Sequence, residues 1–149
     1  MDTLAGQIGA VVWIGLGALA IWRGGVYERL AAGCSLVGWL AYLVVHVDDS
    51  GLVPASPDWP GAVVDMVVLA FLFGIAVRAN RGLLTLAAGF DAIVVLIHVV
   101  VLIDPRILNI SYVAAQALAS YGVQISITLS ALRTAAPKPV EREAPKGSA

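Results

Sequence analysis

The stretch LLTLAAGFDAIVVLIHVVVLI, Leu83–Ile103, decides the fold. Apart from Asp91 and His98, and the weakly polar Thr85, every side chain in it is apolar or absent. A helix rising about 1.5 Å per residue needs roughly 20 mostly apolar residues to cross a hydrocarbon core of about 30 Å. This run supplies them without a proline. A strand of a membrane barrel would alternate apolar and polar side chains over about 10 residues, and no such alternation is present. Working outward, four further runs qualify: Leu4–Trp22, Leu30–Val47, Ala62–Val77 and Ile107–Leu132, the last being the longest and most polar. All seven prolines fall outside these runs, as uninterrupted helices require. The expectation is an all-α integral membrane bundle of five transmembrane helices within residues 1–133. Residues 134–149, rich in Ala, Pro, Lys and Glu, read as a disordered cytoplasmic tail.

Composition agrees with that class. Of 149 residues, 60% are hydrophobic and 13% charged, with a mean hydropathy of +0.90. Soluble domains run at about 45–50% apolar and about 25% charged. A net charge of −1 provides no basic field for nucleic acid, and a single cysteine, Cys34, excludes an intramolecular disulfide framework. Cys34 reads as a small packing residue.

The basic residues orient the bundle. Arg23 and Arg29 lie between the first and second runs, Arg78 and Arg81 between the third and fourth, and Arg133, Lys138, Arg142 and Lys146 after the fifth. Eight of the nine basic residues therefore share one side, with Arg106 on the other. Asp48, Asp49, Asp58 and Asp104 occupy the basic-poor loops. The positive-inside rule gives an N-terminus outside and a C-terminus in the cytoplasm. Asp2 precedes the first run and Arg23 follows it, the reverse of a secretory signal's charge order, so that run reads as a retained helix. Arg78–Gly82 and Asp104–Arg106 are short enough to make the third, fourth and fifth helices antiparallel neighbours. Trp59, set among Pro54, Pro57 and Pro60, reads as an anchor at the outer interface.

Within such a bundle the ionisable side chains stand out, because a charge at mid-helix costs at least about 2.5–3.5 kcal/mol and so faces protein or water. The topology places Asp65 about one turn inside the outer surface, His46 at the outer end of the second run, and His98 one to two turns below the outer end of the fourth. Asp91 lies about two turns deeper than His98, and a spacing of seven puts the two on one helix face. In the fifth run Tyr112, Gln116, Ser120, Gln124 and Thr128 recur at every fourth position. That stripe drifts by about 40° per step but stays connected. Asp65, Asp91, His98, Gln116, Ser120 and Gln124 thus form one candidate set. It is either a hydrogen-bonded seam between helices, with Asp91 bonded to a glutamine of the fifth run, or a hydrated proton path.

Three functions fit. The first is a non-catalytic accessory, scaffold or assembly subunit, whose partners are the bilayer and other membrane subunits or a second copy. The second is proton or small-ion translocation through the Asp/His/Gln-lined interior. The third is haem b or transition-metal binding in electron transfer, with His46 and His98 as ligands at similar depth and Asp65 as a further ligand. No catalytic residue is assigned and no cofactor is required. H-E-x-x-H, G-x-S-x-G and a phosphate-binding loop ending in lysine are all missing from the sequence.

Val64-Asp65-Met66 through Arg78, followed by Ala87-Ala88-Gly89-Phe90-Asp91 and His98, resembles a group of uncharacterised small multi-spanning inner-membrane proteins of alphaproteobacteria. The likeness covers residues 63–103. In that group a third span of VDL type and a charged turn lead into an AAGF…H fourth span. Gly82-Leu83-Leu84-Thr85 departs from the group's aromatic-rich entry to the fourth span. The group carries no established activity, so the resemblance implies a topology and a bacterial inner membrane and no reaction.

Overall fold

Long apolar runs satisfy their backbone donors and acceptors locally when they coil, and the described residues do so five times. The computed structural model describes residues 4–45, 58–104, 106 and 110–136. Its helices are α1 (Leu4–Arg23), α2 (Val26–Val45), α3 (Trp59–Ala79), α4 (Gly82–Ile103) and α5 (Ile110–Ala135). No strand occurs among the described residues.

The helix ends differ from expectation for local reasons. α2 starts at Val26, ahead of Leu30, and so takes Glu28 into its first turn. α3 takes in Pro60, which the sequence reading left in a loop. In a first helical turn proline has no intrahelical N–H to lose, and its fixed φ suits the helix. Asp58 caps this helix, its Oδ1 accepting the Gly61 N–H at 2.8 Å. α5 runs past Leu132 to Ala135, so the helix enters what was expected to be tail. Residues 46–57, which include His46, and 137–149 lie outside the described residues.

Two tight corners set the directions of the helices. Gly24 and Gly25 join α1 to α2, while Asn80 and Arg81 join α3 to α4. Asn80 ends α3 in the left-handed region, at φ 49° and ψ 47°, with its N–H bonded to the Ala76 carbonyl. Each helix packs on its neighbour in sequence, α5 closes back onto α1, and α2 also touches α5. The buried centre is rich in alanine (Ala31, Ala32, Ala76, Ala87, Ala131) with Leu72, Leu84 and Ile127 filling the gaps. Small side chains let the helix axes approach closely.

The outer faces are apolar instead of charged. Val11 and Ile14 on α1, Val37 and Leu40 on α2, Phe71 and Phe73 on α3, Leu96 and Val100 on α4, and Leu118 and Ile125 on α5 are all exposed. Meanwhile Glu28, Asp91, His98 and Gln124 are buried. α3 and α4 are each long and apolar enough to cross a membrane by length and composition.

Packing of α2 on α3 depends on Gly38, where a Cβ would overlap Val68 Cγ2. Gly38→Ala is expected to lower stability by about 1–3 kcal/mol through overpacking. Gly15, with nothing within 4 Å of its would-be Cβ, is the matched control. Gly15→Ala should be neutral or stabilising by up to about 1 kcal/mol. Denaturant titration of the two variants in detergent checks both, and equal midpoints would refute the steric account.

Candidate functional site

α4 presents two polar side chains on its inner face. Asp91 and His98, seven residues apart, are 5% and 2% exposed, while Leu96 and Val100 of the same helix point outward. Their shared face follows from the helical period, as the sequence implied.

His98 is the hub of the first cluster. Its Nε2 lies 2.9 Å from Asp65 Oδ2 of α3 and 3.1 Å from the side-chain amide of Gln116 on α5. Its Nδ1 lies 3.3 Å from the Tyr112 hydroxyl, and the two rings meet edge to face with centroids 6.2 Å apart. Two proton placements satisfy these contacts. In one, Nε2–H donates to the Asp65 carboxylate and to the Gln116 amide oxygen, and Tyr112 O–H donates to Nδ1. In the other, a protonated Asp65 and the Gln116 NH₂ group face a bare Nε2, and Nδ1–H donates to the tyrosine oxygen. The second placement holds one proton more than the first: reaching it adds a proton to Asp65, moves the ring proton from Nε2 to Nδ1, rotates the tyrosine hydroxyl and exchanges the amide ends. The Asp65–His98 pair can therefore take up one proton with its contacts to Gln116 and Tyr112 kept.

Beside this cluster lies a cavity of about 470 Å³, walled by all five helices. Asp65, Asp91, Gln116 and Ser120 supply its polar surface, and Trp13, Trp39, Tyr42 and Tyr121 its aromatic surface. No lysine, arginine or histidine lines it among the described residues. Asp91 Oδ2 has no hydrogen-bond partner among the described residues, so the expected bond from Asp91 to an α5 glutamine is not formed. Ser120 Oγ bonds back to the Gln116 carbonyl at 2.9 Å. Gln124 does not join the set. It is fully buried, its side-chain amide is unpartnered among the described residues, and a Cβ at Gly17 of α1 would stand 3.0 Å from its Nε2. One turn further, Thr128 Oγ1 reaches the Leu16 carbonyl at 3.1 Å and ties α5 to α1.

Three residues were expected as metal or haem ligands: His46, His98 and Asp65. Asp65 and His98 come together, while His46 lies outside the described residues. Both ring nitrogens of His98 are engaged in hydrogen bonds, so service as a metal or haem ligand would displace Tyr112 or the Asp65–Gln116 pair. No group of three or more metal-ligating side chains forms among the described residues.

At the opposite end stands a second cluster that the sequence reading passed over. Glu28 is fully buried, and its Oε1 accepts from the Arg81 guanidinium, from Ser130 Oγ at 2.8 Å and from Thr134 Oγ1 at 3.2 Å. Arg81 also donates to Thr134 Oγ1 at 2.6 Å. Glu28 precedes the apolar run that starts at Leu30. Burial alone would raise its carboxyl, but hydrogen bonds from Ser130 and Arg81 outweigh that and hold it below the ordinary carboxylate range. Two signals in the sequence pointed here. Glu28 is the one acid among the basic corner residues, and Ser126, Ser130 and Thr134 form a second series at every fourth position of α5. Between the two clusters the interior holds Leu72, Leu84, Ala87 and Ile127, with the buried Gln124, Ser126 and Thr128 of α5 beside them.

Comparison of the chain with protein-family models, with curated proteins and with solved structures found no match.

Proposed function

We propose that the chain is a five-span protein of a bacterial inner membrane, N-terminus outside, whose polar interior takes up a proton or small cation from the outer side and carries it inward. The observation behind this reading is the cavity wall itself: a buried Asp91 whose Oδ2 is unpartnered among the described residues, beside an Asp65–His98 pair that can take up one proton with its contacts kept. Support for the spans comes from the exposed apolar side chains on all five helices. α5 fits the same scheme despite its polar composition, because Gln124, Ser126, Thr128 and Ser130 face inward. Arg23, Arg29, Arg78, Arg81 and Arg133 lie in or beside the first or last turns of the helices at the end of the bundle where Arg81 meets Glu28, in keeping with a cytoplasmic face there. The resemblance over residues 63–103 points to the same membrane.

Because the buried side chains of Leu72, Leu84 and Ile127 stand between the cavity and the Glu28 end, transport requires them to part. In vesicles reconstituted with the full chain and loaded with a pH-sensitive dye, an imposed gradient should dissipate faster than in empty vesicles. Asp91→Asn should slow that dissipation at least about tenfold, the usual scale for loss of a group that must exchange protons. An Asp91→Asn variant as fast as the parent would overturn the mechanism.

A second reading, a non-catalytic accessory, scaffold or assembly subunit, draws on the His98 cluster, which is satisfied within the bundle and pins three helices together. Extraction in mild detergent should then bring down a stoichiometric membrane partner, and vesicle flux should be absent.

A further inference from the structure

We propose that the cavity is a binding site for an organic ammonium ion, a protonated or quaternary amine with apolar substituents. This rests on the cation-uptake reading above and names the chemical class of the ion. Asp91 offers a carboxylate oxygen that is unpartnered among the described residues, in a side chain only 5% exposed, and Asp65, whose Oδ2 already meets His98, adds a second acidic side chain to the same wall. No cationic side chain lines the space among the described residues, so the compensating charge is to come from the ligand. The remaining walls select the kind of cation. A hard metal ion seeks six or more oxygen ligands, and the described residues bring no group of three metal-ligating side chains together. What the wall provides instead is aromatic: Trp13 and Trp39 stand with ring centroids 5.4 Å apart and planes inclined by 32°, and Tyr121 closes the same space. Ring faces beside a carboxylate attract an ammonium whose charge is spread over alkyl groups. The volume, about 470 Å³, falls within the range of ordinary small-molecule sites, about 300–1,000 Å³. Gly9 keeps room for Tyr121 at the rim, since a Cβ there would stand 2.7 Å from the tyrosine oxygen.

The full chain in detergent is titrated with benzyltrimethylammonium chloride while tryptophan emission is followed, with benzyl alcohol and sodium chloride as matched controls. Saturable quenching by the ammonium alone is expected. Asp91→Asn should weaken it by about thirtyfold, as for a desolvated charge that loses its partner. Trp39→Leu should weaken it by about fivefold through loss of a ring face. Circular dichroism confirms that each variant retains its helices, and Trp39→Leu serves as the test if Asp91→Asn does not. An equal response to benzyl alcohol, or unchanged affinity in a folded variant, overturns the proposal. Proton flux in vesicles without ammonium binding removes this ligand class and leaves the translocation reading standing. Ammonium binding without flux supports the site and removes translocation.

Discussion

Replacing Arg81 by alanine is expected to cost about 2–4 kcal/mol of bundle stability, read as a shift in denaturant midpoint in detergent. Breaking a buried ion pair from one side leaves an uncompensated charge, worth about 3–5 kcal/mol when both partners are fully enclosed. Here Glu28 is enclosed but the Arg81 side chain is 39% exposed, so solvent screens the pair and the lower part of that range applies. The hydroxyls of Ser130 and Thr134 still donate to Glu28 in the variant and soften the loss further. Arg81→Lys, which restores a point charge without the planar fork, should fall between the two. The pH dependence carries a definite sign. In the native bundle the Glu28 carboxyl lies below its ordinary value of 4.5, so its contribution is fully present above that pH and is lost as pH falls through the folded value. Without Arg81 the buried carboxylate is a liability when ionised. The gap between the variant and the parent should therefore narrow as pH drops below about 4.5. A gap that stays constant from neutral to acid pH would show that the charge of Glu28 is not the source of the effect.

His98→Ala should cost about 3–5 kcal/mol. The ring is almost wholly enclosed, so its removal leaves a hole that the surrounding helices only partly refill, and large-to-alanine changes in such places cost about 2–5 kcal/mol. Loss of the contacts to Asp65, Gln116 and Tyr112 places His98→Ala in the upper part of that range. Asp65 is 19% exposed and regains some hydration, which keeps the total within this range. Asp65→Asn, which retains shape and one hydrogen bond, should cost only about 1–2 kcal/mol. If His98→Ala melts within about 1 kcal/mol of the parent, the cluster does not hold α3, α4 and α5 together.

Much of this architecture could be read from hydropathy, because five apolar runs of such length have few other ways to fold. α4 was located within one residue of its start, since its flanks at Gly82 and Asp104 are sharp breaks in composition. α2 was cut short for the opposite reason. An acid in an apolar context ends a run on a hydropathy scale, yet Glu28 enters the helix because Arg81 and Ser130 meet it from elsewhere in the chain. Pro60 misled in the same way, its rule depending on position within a helix. The pairing of Asp91 and His98 on one face was legible because it depends only on the helical period. That Asp65 and Gln116 meet His98 while Gln124 and Asp91 meet neither depends on how each helix turns about its own axis. Spacing within one helix does not encode that rotation relative to its neighbours. The aromatic wall was invisible for the same reason, since Trp13, Trp39 and Tyr121 come from three different helices.

The closure of α5 onto α1 has a consequence for biogenesis. α1 acquires one of its two main neighbours only when α5 has been made, and Glu28 receives Ser130 and Thr134 only at the end of α5. Until then a nascent four-helix intermediate carries an open seam and a half-satisfied acid. Assembly is thus locked from the C-terminal side, and a chain cut within α5 loses both the seam and the latch in a single event.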